Sequence, residues 1–265
     1  MMQVHSGTEH ILVDHVRKTF QTTAGAQLIA LADVNISIRS GEFLSIVGPS
    51  GCGKSTLLYI VAGLLAPSNG RVMIDGKRKT KPSSDVGVVL QNSSIFPWRR
   101  VSDNVGYGPE MRGMSRSERR ELVQHYLELV GLADFADYYP HELSGGMKQR
   151  VAIAQMLACS PSVFLMDEPF GALDALTREL LQEQLLNLWE RDRRTVLFIT
   201  HGIDEAVLLS DRIIVMSGRP GRVKHVYDID LPRPRPAAEI RSLPEFSRLR
   251  TEIWSSIRQD GLDAL

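Results

Sequence analysis

The sequence predicts an α/β fold: a core of buried parallel strands, an antiparallel β subdomain and an inserted α-helical subdomain. Three observations carry this reading. The first forty residues alternate apolar with polar positions; short apolar runs further on end in glycine or in polar and acidic residues; and a charged stretch rich in helix formers separates two of those runs.

In chain order, Ile11-Leu12-Val13, Ile29 to Leu31 and Val34-Asn35-Ile36-Ser37-Ile38, punctuated by Gly25 and Ser40-Gly41, predict antiparallel strands. Phe43 to Val47 is the mark of a strand buried on both faces, and a helix begins at about Lys54. Val163 to Met166 and Thr195 to Thr200 are further buried strands, each leading into a polar or acidic residue. That is expected where the carboxyl ends of parallel strands form a site. Residues 92–158 read as a helical insert, with helices over Ser115 to Leu132 and Met147 to Ala158. Residues 1–230 are therefore expected to form the main domain. Residues 231–265 are expected to hold an extended linker, Leu231-Pro-Arg-Pro-Arg-Pro236, and an amphipathic helix with Phe246, Leu249, Ile253 and Ile257 at helical spacing.

Bulk properties narrow the function. The chain has 265 residues, 43% hydrophobic and 23% charged, the composition of a folded soluble body. Lys plus Arg equals Asp plus Glu at 31 each, so no global field draws in nucleic acid, which is not expected as a ligand. Cys52 and Cys159 make no CxxC pair, which fits a reducing compartment. Met1 to Asp14 lacks the basic start and apolar run of a signal peptide. The longest apolar or small-residue run, Leu57 to Ala66, is far short of the roughly 18 residues that cross a bilayer. Work at a membrane would require another protein as anchor.

Gly48-Pro49-Ser50-Gly51-Cys52-Gly53-Lys54-Ser55 satisfies the P-loop pattern between a buried strand and an apolar helix. Its glycines let backbone N–H groups curl around phosphate oxygens, Lys54 reaches the terminal phosphates, and the Ser55 hydroxyl can ligate Mg²⁺. Asp167 and Glu168 leave a buried strand side by side. Asp167 would hold Mg²⁺ and Glu168 would polarise the water attacking the γ-phosphate; the plain rival is an acidic cap on a helix beginning at Pro169. Leu143-Ser144-Gly145-Gly146-Met147 precedes a helix placed at Lys148 to Ala158 and forms a second anion-binding turn. One compact monomer cannot easily bring two such elements to one nucleotide, whereas a two-fold dimer can.

The P-loop, Gln91, Leu143-Ser144-Gly145-Gly146, Asp167-Glu168-Pro169, Gly171-Ala172-Leu173-Asp174 and Thr200-His201, in that order, resemble the ATP-binding cassette of ABC transporters over about residues 10–225. The resemblance implies a P-loop NTPase (RecA-like) core hydrolysing ATP with Mg²⁺. It implies that the P-loop and Thr56 hold the nucleotide, Phe20 stacks on adenine and Gln91 touches Mg²⁺ and senses a membrane subunit. It further implies that Ser144, Gly145 and Gly146 bind the partner chain's γ-phosphate, Asp174 couples the two sites and His201 contacts the γ-phosphate. Met147, Gln155 and Gly202 depart from the usual Gln, Arg and Asp. Phe96-Pro97-Trp98, expected as an exposed aromatic pair, and Met216 to Arg222 make the chain similar to importer subunits for nitrate, sulfonate and taurine. Membrane-spanning permease subunits, a second copy of the chain and, indirectly, a periplasmic substrate-binding protein are then the expected partners. The cytoplasmic face of the inner membrane is the expected place. A soluble, non-transport ABC ATPase is the alternative.

Overall fold

The computed structural model describes residues 8–21 and 25–262. It comprises two compact units, one built from the chain up to Ser83 and from Trp189 onward, the other from Ser84 to Leu188. Residues 1–7, half of the stretch compared with a signal peptide, lie outside the described residues.

In the first unit, β1 (Glu9–Gln21), β2 (Gln27–Arg39), β4 (Asn69–Ile74) and β5 (Lys77–Arg78) form an antiparallel sheet in the order β2-β1-β4-β5. Alternation decides which face is covered: Val34, Ile36 and Ile38 are buried while Asp33, Asn35 and Ser37 are exposed. The register sets Ile11 opposite Ile38 and Val13 opposite Ile36, then shifts around His15. There His15 and Asp33, both at positive φ, pair at 2.7 Å.

The same unit holds β3 (Phe43–Val47) flanked in parallel by β8 (Thr195–Ile199) and β9 (Arg212–Met216), with β10 (Val223–Asp228) antiparallel to β9. Every residue of β3 and β8 is buried, so both strands need apolar side chains on both faces. α1 (Lys54–Ala62) follows β3, and α6 (Ile203–Leu209), α7 (Ala237–Ser242) and α8 (Pro244–Leu262) complete the unit. Phe246, Leu249 and Ile253 of α8 are buried in one apolar cluster with Val207 of α6 and Ile213 and Val215 of β9.

The proline–arginine run is irregular in backbone but anchored through its arginines. Arg235 is 3% exposed and donates to the carbonyls of Leu208, Ser210, Ile229 and Leu231 at 2.6–3.1 Å. Burial, helped by Arg233, pulls its pKa down to about 10. Arg233 pairs with Asp211 and Glu190, and with Arg193 it brackets the buried Trp189 ring, at 4.3 and 4.4 Å.

The second unit pairs β6 (Val86–Val89) in parallel with β7 (Val163–Asp167) and packs α2 (Val101–Met111), α3 (Arg116–Leu129) and α4 (Gly145–Ala158) on one another. α5 (Ala175–Asp192) begins here. Two helix limits differ from expectation, one cap lying inside the predicted span and the other before it. Ser115 is the N-cap of α3 in a capping box with Glu118, and the chain turns away at Gly131, φ 64°. Ser144 caps α4, so Gly145, Gly146 and Met147 are its first turn. Among the described residues no helix is long and apolar enough to cross a membrane.

Arg235→Ala removes a buried donor set and leaves four carbonyls to find other partners. The variant should lose about 2–4 kcal/mol of stability, read as a lower urea midpoint at unchanged slope.

Candidate functional site

In the first unit the P-loop leaves β3 and turns into α1 through Gly51 and Gly53, at φ 74° and 101°. A Cβ on Gly53 would lie 2.7 Å from the Leu31 side chain and 3.0 Å from the Ala30 carbonyl, so conformation and space both demand glycine. α1 has no side-chain cap and no acid in its first turn, which leaves its first amides and the positive end of its dipole for an external anion. Lys54 is 5% exposed, and its ammonium donates to the carbonyls of Gly48 and Pro49 at 2.9 and 3.0 Å. Among the described residues no carboxylate pairs with it. A buried cation balanced by carbonyls alone fits a phosphate ligand. Cys52 is fully buried beside it, and burial raises its thiol pKa against the opposing pull of Lys54. Ser55 and Thr56 are half-buried in the first turn.

His201 is exposed between β8 and α6, where the Thr200 hydroxyl accepts from Gly202 N at 2.9 Å and bonds the Glu205 carboxylate. Phe20 lies half-buried near the end of β1, opposite Leu28, with the Lys18 ammonium 5.1 Å above its ring. It is therefore no core aromatic.

In the second unit Asp167 ends β7 fully buried, and Glu168 follows at φ 49°, a costly conformation for a non-glycine residue. The next helix starts only at Ala175, so the two carboxylates are not a cap at Pro169. The Gln91 amide donates to the Glu168 carboxylate at 3.3 Å. Gln149, 2% exposed on α4, donates to the Leu90 carbonyl at 3.3 Å and so ties α4 to the backbone beside Gln91.

Ser144 accepts from Met147 N at 3.2 Å, and Asp174 accepts from Thr177 N at 3.0 Å at the head of α5. Thr177, through its amide and then its hydroxyl, holds the Asp174 carboxyl below the usual range. Both caps open on one cavity of about 350 Å³, lined also by Gly145, Gly146 and Arg150. Burial lowers the Arg150 pKa, against the charge of Asp174, and its guanidinium donates to the Val130 carbonyl at 3.1 Å. Sequence reasoning brought Ser144 and Asp174 to notice separately; it missed Gln149 and Arg150, whose partners are backbone carbonyls that no spacing announces.

The aromatic stretch after Gln91 is not uniformly exposed. Trp98 is 72% exposed, but Phe96 is half-buried against Tyr107 at 4.6 Å. Asn104, fully buried on α2, accepts from Phe96 N at 2.7 Å, and its amide lies 3.0–3.1 Å from the carbonyls of Phe96, Arg99 and Arg100. That one side chain shapes the loop carrying Trp98.

The ABC transporter family profile matches residues 31–171, more than half of the chain. The chain belongs to the ABC transporter family. A protein of Brucella abortus (strain 2308) named for ATP binding is 54% identical over 86% of this chain and 88% of its own. The taurine import ATP-binding protein of Roseobacter denitrificans is 45% identical over 92% of each chain. The nitrate import ATP-binding protein of Synechocystis sp. is 44% identical over 94% of this chain and 95% of its own. Among solved structures, a dimeric ATP-binding cassette in a post-hydrolysis state with ADP and Pi matches with a TM-score of 0.76 at 35% identity, over 84% of this chain and all of that one.

This ABC cassette is an ATPase of the P-loop NTPase fold, with ATP as substrate and Mg²⁺ as its partner ion. Ser55 carries a hydroxyl, Gln91 an amide oxygen and Asp167 a buried carboxylate, each by its chemistry the kind of hard oxygen donor that such an ion takes.

Asn104→Ala strips the loop of its buried partner. It should cost about 2–3 kcal/mol and speed proteolytic cutting between Phe96 and Arg100, measured by urea unfolding and by limited digestion.

Proposed function

We propose that this ATPase is the energy-coupling subunit of an importer for a small anion such as nitrate, a sulfonate or taurine. The observation that carries the reading is the near full-length likeness to taurine and nitrate import proteins. The exposed Trp98, on a loop shaped by Asn104 and following Gln91, supports it as the surface that meets permease subunits. On this reading the cassette spans residues 1–230 with its helical insert at about 92–158, and residues 231–265 follow as linker and terminal helix. It works at the cytoplasmic face of the membrane, held there by its permease. A separate periplasmic binding protein delivers the cargo, which the cassette itself never touches.

Two copies are proposed to sandwich two nucleotides. Gly48, Pro49, Ser50, Gly51, Cys52 and Gly53 present the loop, whose amides with Lys54 grip the phosphates, while Thr56 supports the first turn of α1. Ser55, Gln91 and Asp167 would hold Mg²⁺, which when bound neutralises charge on the phosphate oxygens. Glu168 orients the attacking water and takes its proton, in line with the hydrogen bond it accepts from Gln91. His201 contacts the γ-phosphate and Phe20 stacks on the adenine. From the second copy, the first-turn amides of Gly145 and Gly146 and the Ser144 hydroxyl meet the γ-phosphate, with Asp174 of the same cavity relaying occupancy between sites.

Affinity purification from detergent-solubilised membranes tests the assignment: a multi-span permease should co-purify, and recovery of the cassette without one would reject the importer reading. Glu168→Gln should keep ATP binding, lower turnover roughly 10²–10⁴-fold and accumulate an ATP-bound dimer on size exclusion; turnover near the parent's would remove Glu168 from the role.

A further inference from the structure

The turn between β9 and β10 lies against the P-loop from the side. The Met216 carbonyl is 2.8 Å from where a Cβ on Gly48 would sit, and the Cys52 carbonyl is 2.0 Å from a Cβ placed on Gly221. Gly221 in turn donates to the Ala30 carbonyl at 2.9 Å and accepts from Ala32 N at 3.0 Å, so the turn is fixed to β2. Ser217 closes it internally, its amide donating to the Arg222 carbonyl at 3.0 Å and its hydroxyl accepting from Arg222 N at 3.1 Å. The turn is thus held by backbone bonds and the Ser217 hydroxyl. One exposed side chain reaches from it to the loop: Nε and Nη2 of Arg219 both lie 3.3 Å from the Gly51 carbonyl oxygen.

We infer that Arg219 is a positioning residue for nucleotide affinity, acting through the Gly51 carbonyl. In a trans peptide the carbonyl and the following N–H point in opposite directions. A guanidinium that holds the Gly51 oxygen toward β9–β10 therefore fixes where the Cys52 N–H points. Gly51 is at φ 74° and exposed, and Cys52 N makes only a long bond, 3.4 Å, to the Pro49 carbonyl. Local contacts leave this peptide weakly held, and Arg219 supplies the missing restraint. Preorganising one amide of an anion-binding loop raises affinity without taking part in bond breaking. The inference rests on the P-loop being the nucleotide site.

The experiment uses the full-length chain with MgATP. Arg219→Ala should raise KM and the Kd of a fluorescent ATP analogue roughly three- to tenfold, with kcat within about twofold and an unchanged melting temperature. Arg219→Lys, which keeps one donor, should recover part of the affinity. The ratio between variant and parent should hold from low to high salt, since a carbonyl anchor is no long-range charge effect. An unchanged KM overturns the proposal, as does a fall confined to kcat, a drop in melting temperature that tracks the lost affinity, or a ratio that vanishes with salt. Lys54→Ala runs in parallel. If it abolishes analogue binding while Arg219→Ala does nothing, only the Arg219 inference fails; if it too binds normally, the P-loop reading fails and the inference with it.

Discussion

A buried lysine ammonium held by backbone carbonyls is the constraint around which the first unit is organised. At 5% exposure Lys54 has little water to bond, and the loop before it folds back to offer carbonyls from Gly48 and Pro49 instead. That fold-back requires left-handed backbone at Gly51 and Gly53, and Gly53 must pass so close to Leu31 and Ala30 that no side chain fits. β3 is buried on every residue because it must deliver the loop at a fixed place, between two parallel neighbours.

What the sequence made readable follows from this kind of constraint. Gly51, Gly53 and Lys54 were visible because the P-loop pattern fixes residue type at a set spacing, and Asp167 and Glu168 because two adjacent carboxylates follow an apolar run. Val34, Ile36 and Ile38 were visible because a half-covered strand must alternate. α2 was not: Gly106, Gly108 and Pro109 argue against a helix over Val101–Met111. Packing overrides that preference, since a Cβ on Gly108 would lie 2.1 Å from the Cys159 sulfur, which would have to move to admit it. β10 was hidden for another reason, since its exposed edge positions His225 and Val226 break any apolar alternation.

The helix starts show where residue types mislead. Ser115 looks like a first helical residue in a polar stretch, yet its side chain accepts a bond from an amide three residues on and so caps the helix from outside, while Ser144, expected in a turn before a helix at Lys148, caps one that already begins at Gly145. For α4 the difference matters chemically. With Ser144 as cap, the first-turn amides of Gly145 and Gly146 belong to the end of a helix whose dipole adds to their donor strength, on the same cavity as Asp174.

The three tryptophans sit in unlike surroundings. Trp189 is sealed from solvent between two guanidinium groups, with its indole N–H donating to the Arg194 carbonyl at 2.7 Å, whereas Trp98 and Trp254 stand 72% and 58% exposed. The chain thereby carries built-in optical labels. A collisional quencher such as acrylamide reaches Trp98 and Trp254 and spares Trp189, so loosening of the Arg233 region and covering of the Trp98 loop would alter separate parts of the intrinsic emission.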